Sequence, residues 1–127
     1  MPPIYTQTKK NDAFVTSTLY ANALEVDTSK LSKSVFHIKN DDASIAMTYK
    51  IYGTLLDSAD SSTLTDDEWV NLISVAAGGT YDHDAETALA ATVRKIESLN
   101  DWYVKIVIQI KAASGTPTAK VWHGGRN

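Results

Sequence analysis

The feature that most constrains the fold is an alternation of apolar and polar residues over positions 101–113. The apolar residues at even positions are Trp102, Val104, Ile106, Ile108, Ile110 and Ala112, with Asp101, Lys105, Gln109 and Lys111 between them. Successive side chains of a strand point to opposite faces, so the pattern predicts a strand with one face in a core. The predicted strand is bounded by Asn100-Asp101 before it and by the turn-forming residues 114–117 after it.

A second alternation covers residues 44–55. It places Ile45, Met47, Tyr49, Ile51 and Leu55 on one face, and Ser44, Thr48, Lys50 and Thr54 on the other. Gly53 interrupts the inward row, as at a bulge or a close packing point. The polar residues 56–65 after it predict a surface loop.

Three further strands are predicted. Residues 35–39 form one, with Phe36 and Ile38 inward, and Asn40-Asp41-Asp42 predicts a hairpin to the 44–55 strand. Residues 118–123 form the last strand and should pair antiparallel with 101–113. Residues 14–26 also alternate, but two faces are equally apolar, so the inward one stays open.

Two segments fit both a helix and a strand. Thr65 to Glu68 match a capping box before helical spacing, yet residues 69–75 also alternate, and we favour a strand there. Acids at the start of 84–99 and Arg94-Lys95 near its end suit a helix dipole, which favours a helix over a strand at 91–97. The prediction is a mainly β, antiparallel sandwich (jelly-roll or Ig-like) with one short helix around 84–98; a small barrel is the neighbouring possibility.

Composition narrows the function classes. The 127 residues suit one domain, and we expect an N-terminal arm at 1–12, a sandwich at 13–123 and a tail at 124–127. The absence of Cys excludes disulfides, thiolate metal sites and a Cys nucleophile. A net charge of −3 argues against a nucleic-acid domain. We expect no membrane contact, because no secretory signal or apolar run of spanning length is visible.

No motif points to catalysis, so we expect a protein that is not an enzyme and uses no cofactor. Asp82-His83-Asp84 could suggest a metal site, but adjacent side chains diverge and no second cluster follows, so we expect no metal. His37 and His123 are predicted at the surface. Tyr52 and Tyr103 lie on outward rows and are predicted to be exposed, for a protein contact in preference to a sugar platform.

Several segments carry a resemblance. They are Asn40-Asp41-Asp42-Ala43-Ser44-Ile45, Tyr49-Lys50-Ile51-Tyr52-Gly53, Trp69-Val70-x-Leu72, the run Trp102 to Lys111, Gly115-Thr116-Pro117 and Ala119-Lys120-Val121. Together they resemble a group of small β-sandwich proteins found among the structural genes of tailed phages and archaeal viruses. The resemblance covers about residues 35–123 and includes no catalytic residue.

The resemblance implies a virion protein made in the host cytoplasm, a capsid decoration (cement) protein that stabilises the shell. Its expected partners are the major capsid protein and copies of itself, as a trimer, with no nucleic acid and no membrane. The predicted contacts are Pro2, Pro3, Ile4 and Tyr5 of the arm, with Tyr52 and Tyr103. The alternative is a carbohydrate- or receptor-binding module of a tail or fibre.

Overall fold

A computed structural model describes residues 5–99 and 103–126 of the chain. Within these residues it has nine strands and one short helix. They are β1 (Tyr5–Val15), β2 (Ala21–Asp27), β3 (Lys33–Asn40), β4 (Met47–Thr54), β5 (Val70–Asn71), α1 (Leu72–Ala77), β6 (Thr87–Leu89), β7 (Arg94–Leu99), β8 (Lys105–Ala112) and β9 (Thr118–Arg126).

The strands form two antiparallel sheets that pack face to face, which confirms the predicted sandwich. The first sheet has the order β1-β9-β3-β7, and the second has β2-β8-β4-β5 with β6 also paired to β4. Every pairing in both sheets is antiparallel. No helix in the described part is long and apolar enough to span a membrane.

The core lies between the sheets and is built from the predicted alternating rows. Phe36 and Ile38 of β3 face it, as do Met47, Tyr49 and Ile51 of β4. Ile106, Ile108, Ile110 and Ala112 of β8 are also buried there. Trp102 lies outside the described residues. Leu55 was predicted inward and is 65% exposed, because β4 ends at Thr54 and the row ends with it.

The predicted hairpins are wrong. β3 belongs to the first sheet and β4 to the second, so residues 41–46 carry the chain across the sandwich. Asn40 anchors this crossing, because its buried side-chain Nδ2 donates to the carbonyls of Ile45 at 2.8 Å and Leu89 at 3.0 Å. β9 likewise pairs with β1 and β3, whereas β8 pairs with β2 and β4. The same turn residues serve a hairpin and a crossing equally well.

The helix predicted around 84–98 is also wrong. This segment contains β6 and β7, and the structure places the helix at Leu72–Ala77. β7 is the last strand of its sheet, so its inward positions Lys95 and Glu97 reach the rim of the core. Glu97 there accepts a hydrogen bond from the hydroxyl of Tyr49. Because this edge strand has polar residues at inward positions, its sequence lacks the alternation of apolar and polar residues that identifies a strand.

The strand favoured at 69–75 is confined to Val70–Asn71, and α1 follows directly. Asn71 is the N-cap of α1, since its Oδ1 accepts from the amides of Ile73 at 3.0 Å and Ser74 at 3.2 Å. The predicted 14–26 strand is divided, with β1 ending at Val15 and β2 starting at Ala21.

The first and last described strands lie in one sheet. β1 begins at Tyr5, inside the predicted arm, and β9 reaches Arg126, inside the predicted tail. These strands pair with each other, with Tyr5 opposite Arg126 and Thr8 opposite Gly124. The first sheet therefore includes much of both predicted extensions.

Candidate interaction surfaces

The outer face of the first sheet carries a cluster of cations that we call the basic face. Because inward residues of β3 and β9 fill the core, the alternate residues point outward. In the described part, six cations occupy outward strand positions, and Asp12 of β1 lies beside one of them; the cations are Lys10, Lys33, Lys39, Arg94, Lys120 and Arg126. A protein of net charge −3 thus has one face that attracts anions.

The strand register places an aromatic residue at the centre of the basic face. Trp122 lies between Lys10 of β1 and His37 of β3, and His37 lies beside Ile96 of β7. The guanidinium of Arg94 lies 5.6 Å from the centre of the Trp122 ring. Ile96 is 60% exposed and Trp122 is half-buried, so the face also offers apolar area.

Two carboxylates lie at the rim of the basic face. Asp12 approaches Lys10 at 3.4 Å. Asp41 approaches Lys39 at 3.3 Å and Lys120 at 3.5 Å. The hydrogen bond from Lys39 is the main cause that lowers the pKa of Asp41 below 3.8. The side chains of Lys10 and Asp12 are more than half exposed, and those of Lys39, Lys120 and Asp41 are about a third exposed. Because solvent reaches both groups, these pairs contribute little to stability.

Open depressions occur on the basic face. One of about 470 Å³ is lined by Thr8, Lys9, Lys10, Trp122 and His123. Another of about 160 Å³ lies between Lys33, Ser98 and Arg126. Both are open and bordered by cations, which suits a protruding anionic group better than an enclosed apolar ligand.

The outer face of the second sheet is covered by the chain itself. Tyr52 of β4 and Val107 of β8 point outward but are buried under residues 55–69, which we call the covering loop. Ala59, Leu64 and Trp69 of this loop pack on them. The indole Nε1 of Trp69 donates to the carbonyl of Asp60 at 3.1 Å. The predicted polar loop therefore encloses a second small apolar core.

Residues 81–85 are held beside the covering loop by buried polar groups. The side-chain Nδ2 of Asn71 donates to the carbonyls of His83 at 2.9 Å and Ala85 at 2.8 Å. The Tyr52 hydroxyl also donates to the His83 carbonyl, at 2.9 Å. Burial is the main cause that raises the pKa of Tyr52 to about 12, so this hydroxyl stays a donor at neutral pH.

These loops form an acidic surface opposite the basic face. Residues 57–86 contain no Lys or Arg. Their acidic residues are Asp57, Asp60, Asp66, Asp67, Glu68, Asp82, Asp84 and Glu86, all exposed except the half-buried Glu68. We call this set the acidic loops. Lys50, Lys105 and Lys111 of the second sheet point to the same side, but the eight carboxylates outnumber them. The sandwich thus presents one basic and one predominantly acidic broad side.

The structure tests the predicted exposure of the tyrosines. Tyr52 is only 3% exposed, so that prediction is wrong, because the covering loop lies over it. Tyr103 is half-buried against the main core, where a Cβ added to Gly53 would lie 2.8 Å from its Cγ. Gly53 is therefore the close packing point that was predicted. Pro2, Pro3, Ile4 and the side chain of Tyr5 lie outside the described part.

The histidines differ from one another. His123 was predicted at the surface and is 3% exposed, since it occupies an inward position of β9 against Phe36. Its Nε2 lies 3.0 Å from Oγ of Ser34, and burial lowers its pKa below 6.5. His37 is half-buried on the basic face.

The side chains of Asp82, His83 and Asp84 have separate partners. Oδ1 of Asp82 accepts from the amide of Asp84 at 2.9 Å, and Asp84 lies 3.4 Å from Lys50. Nδ1 of His83 lies 3.2 Å from Oδ1 of Asp66. Among the residues that the structure describes, no three His, Asp or Glu side chains converge as metal ligands would.

The sequence analysis did not predict separate basic and acidic surfaces, because a net charge of −3 is the sum over both. Two signals were readable. Residues 57–86 contain acids and no Lys or Arg, and the same alternate row holds Lys33 with Lys39 in one strand and Lys120 with Arg126 in another. The sequence does not show which alternate row faces outward until the core row is known.

No family model matches the chain, and no curated protein matches it. A solved structure of Bacillus endospore appendages, described as a novel family of disulfide-linked pili, contains a chain of similar fold. The match has a TM-score of 0.56 at 11% identity and covers 97% of this chain and 88% of that one. The two chains therefore share a β-rich fold, and the likeness extends over nearly the whole described sandwich.

Proposed function

We propose that this protein is a structural subunit of an ordered protein assembly and acts through contacts of its broad faces. The observation that carries the proposal is the basic face, a four-stranded surface with Trp122 at its centre and no covering loop among the described residues. Trp and Arg are the residues most enriched at the energetic centres of protein interfaces. The fold shared with a subunit of bacterial appendages supports the same role.

The two outer faces support a contact role for different reasons. The second sheet buries its apolar outward residues Tyr52 and Val107 within the chain. The first sheet leaves Trp122 and Ile96 partly accessible among cations. Apolar area surrounded by charge is the usual composition of an interface core and rim.

The finer form of the proposal is a capsid decoration protein, which rests on the resemblance of residues 35–123 to viral sandwich proteins. In that form, the protein binds the major capsid protein as a trimer in the virion. The other form is a subunit of a surface appendage, which the fold of the pilus chain supports. Since this sequence contains no Cys, subunit contacts between these residues include no disulfide in either form.

Immunogold electron microscopy of the cells that make this protein, and of the particles they release, tests the proposal. We expect label at regular spacing on capsids or on filaments, and the location separates the two forms. Diffuse label within cells, together with a protein that neither binds capsids nor associates with itself, would contradict the proposal. A response on a glycan array instead would support the carbohydrate-binding alternative.

Two adjacent residues of β7 provide a matched pair of variants for the contact surface. Arg94 lies at an outward position of the basic face, whereas Lys95 lies at an inward position on the sheet rim. Arg94→Glu should release the protein from its assembly, while Lys95→Glu makes the same charge change away from the face. Equal retention of both variants would exclude the basic face as the contact.

A further inference from the structure

We infer that the basic face of one copy docks on the acidic loops of the next copy, in a head-to-tail contact. This inference rests on the proposed role in an assembly and names its contact. The basic face has six cations with two carboxylates at its rim. The acidic loops carry eight carboxylates and no Lys or Arg. Such complementarity guides docking and excludes wrong orientations.

The placement of the two surfaces determines the kind of assembly. They lie on opposite broad sides of the sandwich, because the sheets pack face to face and each surface belongs to an outer side. A contact between different patches is heterologous, so it continues from copy to copy into a ring or a filament. A symmetric pairing of two basic faces would bring like charges together and is disfavoured.

The size of the basic face suits a modest interface. Four strands spaced by about 4.8 Å and nine residues of β9 at roughly 3.3 Å each give a face of about 500–600 Å². That is near the lower limit of about 600 Å² per partner for a specific interface, for which about 800 Å² is typical. The contact should therefore be weak, and long chains should form only at high protein concentration.

The centre of the face gives the contact an anchor. Trp122 lies beside Arg94 at 5.6 Å and near the exposed Ile96. We expect the cations to guide docking and Trp122 to supply most of the buried area. Because exposed charges are screened beyond roughly 8 Å at physiological salt, association should weaken strongly as salt increases.

Two charge-reversal variants test this contact. One variant, Lys39→Glu/Arg94→Glu, replaces two of the six cations of the basic face with carboxylates, and the other, Asp57→Lys/Asp67→Lys, replaces two of the eight carboxylates of the acidic loops with cations. Asp57 and Asp67 are exposed, so the second variant should fold normally. Circular dichroism and thermal melting check the fold of both. Sedimentation velocity at low and high salt then measures the size of each protein.

We expect the unaltered protein to form chains at low salt and to dissociate at high salt. Each variant alone should self-associate at least about tenfold more weakly, because the attraction between the two surfaces is reduced at every contact. An equimolar mixture should form heterodimers in place of chains, since the intact acidic loops of one variant fit the intact basic face of the other. Lys95→Glu should behave as the unaltered protein.

Two results overturn the inference. In one, the protein assembles but neither salt nor the variants change its size, which leaves the proposed function intact and excludes this contact. In the other, the protein stays monomeric at millimolar concentration and low salt, and its basic face binds double-stranded DNA or heparin instead. That result would identify a polyanion, and not a second copy, as the partner of the basic face. A capsid-binding assay run in parallel tests the proposed function separately.

Discussion

The outer faces of the two sheets differ although their inner faces are built alike. In both sheets, aliphatic and aromatic residues at alternate strand positions point into one core. The second sheet has apolar outward residues, Tyr52 and Val107, and the covering loop packs on them. The first sheet has cations and Trp122 at its outward positions, and the described chain places no loop over them. The outward residues thus distinguish a face closed within the chain from one open to a partner.

This contrast separates residues that stabilise the fold from residues available for contact. The covering loop is held by Trp69, and the neighbouring segment 81–85 by buried hydrogen bonds of Asn71. Among the described residues, the outward side of the basic face has its backbone ladder, ion pairs in contact with solvent and the packing of Arg94 on Trp122. Changes on the covered side should therefore alter stability, and changes on the open side should alter association.

The largest expected effect is on the covered side. Trp69→Ala should lower the free energy of unfolding by about 3–5 kcal/mol, because it empties a site that is 1% exposed and removes a hydrogen bond. Trp122→Ala removes the same side chain from the open face and should cost less than about 1 kcal/mol. Urea unfolding measures both, and equal losses would show that the two faces do not differ in this way.

A smaller loss is expected from Asn71→Ala, about 2–3 kcal/mol. The change removes the cap of α1 and two buried donors to the carbonyls of His83 and Ala85. Asn22→Ala is the matched control, because the Asn22 side chain is exposed and bonds to Gln109 and Ser61 at the surface. Chemical denaturation compares the two, and a cost for Asn22 that equals the cost for Asn71 would contradict the buried role.

His123 provides a pH dependence beneath the open face. Burial lowers its pKa below 6.5, so the folded state binds fewer protons than the unfolded state as the pH falls through 6.5. This group therefore adds a loss of stability on acidification, beginning near pH 6.5 and ending below its folded pKa. The free energy of unfolding, measured at pH values from 8 to 5, should depend less on pH in His123→Gln than in the unaltered protein. An unchanged pH dependence would be inconsistent with this assignment.

The smallest effect concerns one ion pair of the basic face. Lys39→Met should raise the pKa of Asp41 toward 3.8, because the hydrogen bond from Lys39 is the main cause that lowers it. NMR titration of the Asp41 carboxyl measures the change. Lys30→Met, a lysine in the connection between β2 and β3, serves as the control. If neither variant changes the pKa of Asp41, the cations of the basic face do not interact with the carboxylates at its rim.

The confirmed predictions concern strands with one fully buried row. Residues 47–51 alternate strictly and residues 106–112 alternate apart from Val107, and the structure buries the predicted side of each. The prediction of a helix around 84–98 failed at β6 and β7. β6 has only three residues, and β7 lies at the edge of its sheet. Edge strands bury little of either row, so their side chains need not alternate.

The candidate surface was less predictable than the fold. Tyr52 occupies an outward position as predicted, but a loop folds back over it. Whether an outward residue is exposed depends on segments distant in sequence, here residues 59–69 over β4 and β8. Local periodicity gives the side of the strand to which a residue points, and nothing about what lies on that side.

By itself, the sequence determined that this protein is mainly β, with one apolar row in each of its main strands, because the alternation of apolar and polar residues acts within a single strand. Only the tertiary structure decided which strands pair, since hairpins and crossings share the same turn residues. It also decided which outer face is covered, and so brought six cations together around Trp122 on one side. Those groupings depend on strands far apart in the chain, which no local pattern encodes.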